Sequence, residues 1–235
     1  MRNKTDTLRL GLTGEKKMKI LLISSSPHRE RSKTFLLAQE VARGCGNKEV
    51  ETETIYLRNM KIGFCRHCEA CHKKILSCPI KDDVPMILTK MLEADGIILA
   101  SPNYIDQVTA SMKALFDRSS HFIHCLRLMG KYVAGVVSSG SGWDKEVLDY
   151  LQHYTNACGA RYSGGISSQA LAVPEALPEA NALGKKLAAN ITEKSIFPDQ
   201  EKTVGEHKER FRKIIAMRKD EWVAEYQYWF DKGWL

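Results

Sequence analysis

The chain has 235 residues, 43% of them hydrophobic, with a formal net charge of +7. No apolar run approaches the roughly 20 residues that cross a bilayer, and no basic stripe is interleaved with aromatics in the way nucleic-acid surfaces are. Six Lys/Arg and two acidic residues fall within 1–19, so much of the charge sits in a leader, 1–17, expected to be disordered.

The chain can bury one good core, and its N-terminus lacks the apolar h-region of a signal peptide. A cytoplasmic location is expected, with no membrane and no nucleic-acid partner. Seven cysteines are then reduced by default, which favours metal binding or catalysis over disulfides. Cys45, Cys125 and Cys158 are scattered and read as ordinary buried thiols.

Residues 19–24 form a short, nearly continuous apolar run, the mark of a strand buried on both faces. A polar loop with Pro27 precedes a helical pattern over 32–45, and 50–57 alternates as a second strand. A cysteine-rich segment at about 60–82 follows. Asp82-Asp83 then introduce a helix through Met86, Ile87, Met91 and Leu92. Residues 96–100 give a third strand, 109–121 a helix, 132–137 a fourth strand and 144–157 another helix. A weak fifth strand at 161–166 leads to a helix near 180–191.

Strands alternating with helices at this spacing imply a doubly wound parallel α/β sheet. Five strands suit the flavodoxin-like order 2-1-3-4-5, with ligands beyond the carboxyl ends of the strands. The sheet domain is expected over 18–195 and a helical C-terminal extension over 196–235. A polar connector around 199–205 is expected to separate them. In the extension, Phe211, Ile214, Ile215, Trp222, Val223, Tyr226, Trp229 and Phe230 recur near helical spacing. That face must pack on its own domain or on a partner subunit.

Three loops at the carboxyl edge carry candidate chemistry. After strand one, Ser24, Ser26, His28, Ser32, Lys33 and Thr34 surround a helix start, where free N–H groups and hydroxyls suit a phosphate. The glycines of a Walker A or dinucleotide fingerprint are absent. After strand three, Pro102, Asn103 and Tyr104 place an aromatic ring on a tight turn. After strand four, Ser138, Ser139, Gly140, Gly142 and Trp143 let backbone approach a ligand closely.

The pattern Ser26-Pro27 with Ser32-x-Thr34, the run 101–104, and 111–118 resemble the flavodoxin-like NAD(P)H-dependent FMN reductases. Within that superfamily, Cys65, Cys68, Cys71 and Cys78 followed by Lys81-Asp82-Asp83 are similar to the iron–sulfur flavoproteins. The resemblance spans about 18–190. It implies FMN at the three loops, a [4Fe–4S] cluster on the four cysteines, and a homodimer or dimer of dimers in which the cluster lies near a neighbouring subunit's flavin. Family members commonly carry Arg where this chain has His28 and Asn where it has Lys33.

The spacing C-x2-C-x2-C-x6-C crowds three thiols within seven residues, which suits an iron–sulfur cube. Zinc sites usually separate two C-x2-C pairs. A cluster, zinc, or free thiols remain open on spacing alone. With four thiols available, His67 and His72 read as neighbours of the ligands or as solvent-facing. Arg66, Lys73 and Lys74 supply positive charge beside an anionic centre. The leading expectation is a flavin–cluster oxidoreductase joining a one-electron donor such as ferredoxin, or another redox partner, to a two-electron acceptor. No side-chain acid or base is assigned. A cluster-free NAD(P)H-dependent FMN, quinone or nitroaromatic reductase is the first alternative, and a zinc-stabilised binding module the second.

Overall fold

In the computed structural model, which describes residues 17–46, 49–140 and 142–235, five parallel strands lie in the order β2-β1-β3-β4-β5. They are β1 (Met18–Ser24), β2 (Val50–Tyr56), β3 (Gly96–Pro102), β4 (Tyr132–Ser139) and β5 (Arg161–Gln169). The expected leader falls outside the described residues, Lys17 excepted.

The three central strands, β1, β3 and β4, are nearly continuous buried runs because both faces of the sheet are covered there. Ile20 and Leu22 point into one buried layer with α1 (Lys33–Gly44) and α7 (Val173–Glu193). Leu21 and Ile23 point into the other, with α3 (Val84–Glu93), α4 (Ala110–Asp117) and α6 (Asp144–Ala157). Helices α1 and α7 cross in close contact. A Cβ at Gly184 would lie 1.9 Å from the Val41 carbonyl oxygen, and one at Gly44 would lie 2.1 Å from that of Asn181. Only glycine permits that backbone approach.

Three elements depart from expectation. The helix expected over 109–121 breaks into α4 and α5 (Ser120–His124). Ser119 Oγ donates to the Phe116 carbonyl, satisfying the end of α4 with a side chain. Arg118 meanwhile turns away toward Asp82 and the Gly63 carbonyl. The stretch 199–205 is no connector, because it lies inside α8 (Pro198–Met217). Its Gln200 exchanges hydrogen bonds with the backbone of Tyr162, and Glu201 pairs with Arg161, so the polar residues fasten α8 to β5. Finally, Asp83 caps no helix end, since its carboxylate accepts from the Lys61 N–H while Asp82 reaches Val84 N–H.

The aromatic tail packs on its own chain. Trp222 and α9 (Val223–Asp231) carry Trp229 into a small core with Cys125 and Ile215. Trp229 is fully buried, and its Nε1–H donates to the His124 carbonyl at 3.0 Å. Ile75 of the cysteine segment joins the same core. The tail therefore covers the cysteine loop.

Candidate functional site

The first region is the carboxyl edge of the sheet. Ser32 caps α1, its Oγ accepting from the Phe35 N–H at 3.1 Å, and Ser26 Oγ accepts from the His28 N–H at 3.3 Å. A hydroxyl that accepts still holds a proton to donate. Both O–H groups are thus free for an anion at the helix start, where the α1 N–H groups converge. Ser24 Oγ is buried and has no hydrogen-bond partner among the described residues. Thr34 Oγ1 instead pairs with Ser138 Oγ at 2.6 Å, so these two hydroxyls lock the β1 loop to the end of β4. His28 and Lys33 are exposed at the rim.

The other two loops are knitted together by Asn103, which follows Pro102 at the end of β3. Its N–H donates to the Ser138 carbonyl, and its Nδ2 donates to the carbonyls of Gly142 (2.9 Å) and Trp143 (3.2 Å). Asn103 is therefore a loop brace with its donors engaged. Ser139 Oγ accepts from the Gly142 N–H and donates to Asp144. Gly142 has φ +97°, a conformation side chains resist, whereas a Cβ at Gly140 would meet nothing within 4 Å. Tyr104 and Trp143 stand half or more exposed on either side. Phosphate donors, an open glycine loop and flanking aromatics suit a flat, phosphorylated ring system.

The second region is the cysteine loop. Cys65, Cys68, Cys71 and Cys78 all line one cavity, open to solvent at its mouth. Its base is pinned by the buried Asp82–Arg118 pair. Arg118 Nη1 donates to Asp82 Oδ2 at 2.7 Å and to the Gly63 carbonyl at 2.8 Å, while Asp82 also accepts from the Gly63 N–H. Burial pushes the Asp82 carboxyl up, but Arg118 and that amide outweigh it and hold it below the usual range.

Donors already face the sulfurs. The His67 N–H lies 3.4 Å from Cys65 Sγ, and Ser120 Oγ lies 3.7 Å from Cys71 Sγ. Burial would raise the Cys71 thiol, yet the His72 imidazole 3.9 Å away lowers it below the ordinary value. Thiolate is the form that binds metal. The residues present thus fit an anionic centre held by four sulfurs.

His67 is exposed, whereas His72 is buried behind Cys71 in α2 (Ala70–Lys73). The His72 Nδ1–H donates to Glu225 Oε1 at 2.6 Å, and His124 Nδ1–H donates to Oε2 at 3.0 Å. Burial depresses His72, but its bonds to Cys71 and Glu225 prevail and raise it to about 10. Glu225, fully buried, has its carboxyl pushed up by burial and pulled lower still by the two histidines. Arg218 grips Glu69 with two bonds of 3.2 and 2.9 Å, and Trp222 Nε1–H adds a third at 3.3 Å. Sequence reasoning missed Glu225, His124, Arg218 and His121 as parts of this site. The one local signal was the pair His121/His124 one turn apart on α5.

The family described as NADPH-dependent FMN reductase matches residues 18–175. An iron-sulfur flavoprotein of Methanocaldococcus jannaschii is 43% identical over 124 residues, which cover 53% of this chain and 63% of that protein, just under two thirds of its length. An iron-sulfur flavoprotein of Archaeoglobus fulgidus is 29% identical over 227 residues, covering 93% of this chain and all of that protein. Among solved structures, a flavone reductase superposes with a TM-score of 0.61 at 19% identity, over 74% of this chain and 63% of that one. An apo NADH:FMN oxidoreductase gives 0.55 at 20% identity, over 78% and 94%. Those two show the shared fold.

Proposed function

We propose, from the premise that the chain belongs to the NADPH-dependent FMN reductase family and is a flavin-dependent oxidoreductase that takes FMN, that it carries a [4Fe–4S] cluster beside the flavin. The observation behind this reading is the single cavity lined by all four thiols, whose walls already aim N–H and O–H donors at sulfur. The names of the archaeal relatives support it. FMN exchanges electrons singly or in pairs and such a cluster exchanges them singly, so together they join a one-electron donor such as ferredoxin to a two-electron acceptor.

The chain's own part is positioning. Ser26, Ser32 and the first N–H groups of α1 bind the phosphate. Asn103 fixes the β3 and β4 loops at the separation a ring requires, and Tyr104 and Trp143 wall the ring from water. Cys65, Cys68, Cys71 and Cys78 hold the irons, and Arg118 with His72 offset the negative charge gathered there. A second copy fits the flavin edge, where Ile105, beside Tyr104 in the β3 loop, and Leu171, just past the end of β5, are 97% and 94% exposed.

Anaerobic purification with iron, sulfide and flavin analysis tests the reading. Four irons and four sulfides per FMN are expected, with the iron lost and the flavin kept in Cys68→Ala. Flavin without iron would select the cluster-free reductase, and zinc without flavin the binding module.

A further inference from the structure

One side chain in the cysteine cavity has no role so far. His121 is the second residue of α5, is 1% exposed, and belongs to the cavity wall together with the four cysteines. Both of its ring nitrogens are buried and neither has a hydrogen-bond partner among the described residues. Leaving a buried polar group unpaired forfeits its hydration with nothing in return, so such groups in native proteins call for an explanation.

The neighbours explain why no protein group serves it. Glu225 spends one oxygen on His72 and the other on His124. The Ser120 hydroxyl faces Cys71, and the His124 carbonyl is taken by Trp229. Phe122 meets the His121 ring edge-on at 5.0 Å and offers no acceptor. Burial, reinforced by the Arg127 guanidinium and opposed only in part by Glu225, pushes the ring down to about 4. With or without a further proton, the imidazole keeps at least one N–H to donate.

Resting on the cluster reading above, we infer that His121 donates an N–H to a sulfur of the cluster, as a fixed hydrogen bond from the cavity wall. Four thiolates complete the four iron corners, which leaves the imidazole no iron to bind and the cluster's sulfurs as its acceptors. A hydrogen bond to sulfur stabilises the more negative, reduced cluster, so its effect is to raise the reduction potential.

The test compares loaded parent protein with His121→Phe, which keeps ring volume and removes the donor. The donor-bearing His121→Asn and His121→Gln place an amide nitrogen near the Nδ1 and Nε2 positions respectively. His121→Phe should lower the cluster potential and shift the Fe–S stretching bands upward, and one of the two amides should restore both. A His121→Phe protein with full iron content and an unchanged potential would overturn the inference alone. A parent that binds flavin but no iron would overturn the cluster reading and this inference with it.

A measurement on unmutated protein guards against a variant that fails to fold. With 15N-labelled histidine, pulsed hyperfine spectroscopy of the reduced cluster should show a weak nitrogen coupling at a site with an exchangeable proton. A coupling large enough for a direct iron–nitrogen bond, or no histidine coupling, would overturn the donor role.

Discussion

At the carboxyl edge of the sheet, the proposed flavin edge, polar groups find their partners among the strand ends and loops of one repeating β–α pattern. Thr34 at the start of α1 reaches Ser138 past the end of β3, and Asn103 meets the loop of Gly142 because β3 and β4 are neighbours in the sheet. At the cysteine loop the partners come from the far end of the chain. Glu69 meets Arg218, and His72 meets Glu225, 153 residues on. The first region is therefore a consequence of the fold, whereas the second is held by a tail that folds back over it. Damage to the tail should reach the metal centre while leaving the flavin edge intact.

The strongest way to break that contrast is Glu225→Leu. It strands a buried imidazolium and a second imidazole, and breaking a buried pair costs about 3–5 kcal/mol. Urea unfolding of metal-free protein should lose that amount, with FMN affinity unchanged. A loss below about 1 kcal/mol would show that the tail does not brace the loop.

Acid should act in the same direction, by a smaller amount. Asp82 and Glu225 are both held below their ordinary values, so each contributes stability that is present above the ordinary carboxylate pKa. That contribution disappears as pH falls through the depressed folded value. Unfolding midpoints should therefore decline below about pH 4, with a shallower acid limb in Asp82→Asn. Equal slopes in parent and variant would mean that Asp82 does not carry the linkage.

Ser32→Ala probes the other region. It removes an N-cap worth about 1 kcal/mol and one donor to a phosphate, worth about 1.5–3 kcal/mol. FMN should bind roughly ten- to a hundred-fold more weakly by titration. Iron content should stay at the parent level.

The same contrast explains what could be read from the residues alone. Strand order, the α1 start and the three edge loops follow from local periodicity, since each strand's apolar run and each loop's hydroxyls lie within a few residues of one another. The four thiols that line one cavity were equally visible as a spacing. Glu225 was not, because an acid on an amphipathic helix ordinarily faces water, and only the docked tail turns it inward. The same is true of Gln200, whose polar surroundings suggest a connector until its side chain is seen bound to the β5 backbone. Tertiary partners at long separation leave no local periodicity to read.

Backbone strain sharpens the comparison most finely. Ile105 at the flavin edge and Glu69 in the cysteine loop both adopt left-handed conformations, with φ of 52° and 58°. That conformation costs a side-chain-bearing residue about 1–2 kcal/mol, and glycine recovers this less about 0.5–1 kcal/mol of backbone entropy. Ile105 is 97% exposed and gives up no buried packing, so Ile105→Gly should stabilise the isolated subunit by about 0.5–1 kcal/mol. Glu69→Gly relieves the same torsion but strips away the bonds to Arg218 and Trp222, so it should destabilise. Opposite signs from one backbone geometry would mean that strain is held at the cysteine loop by the tail and merely tolerated at the flavin edge. Stabilisation by both glycines would break the comparison, because the tail's grip on Glu69 would then weigh less than the torsion it maintains.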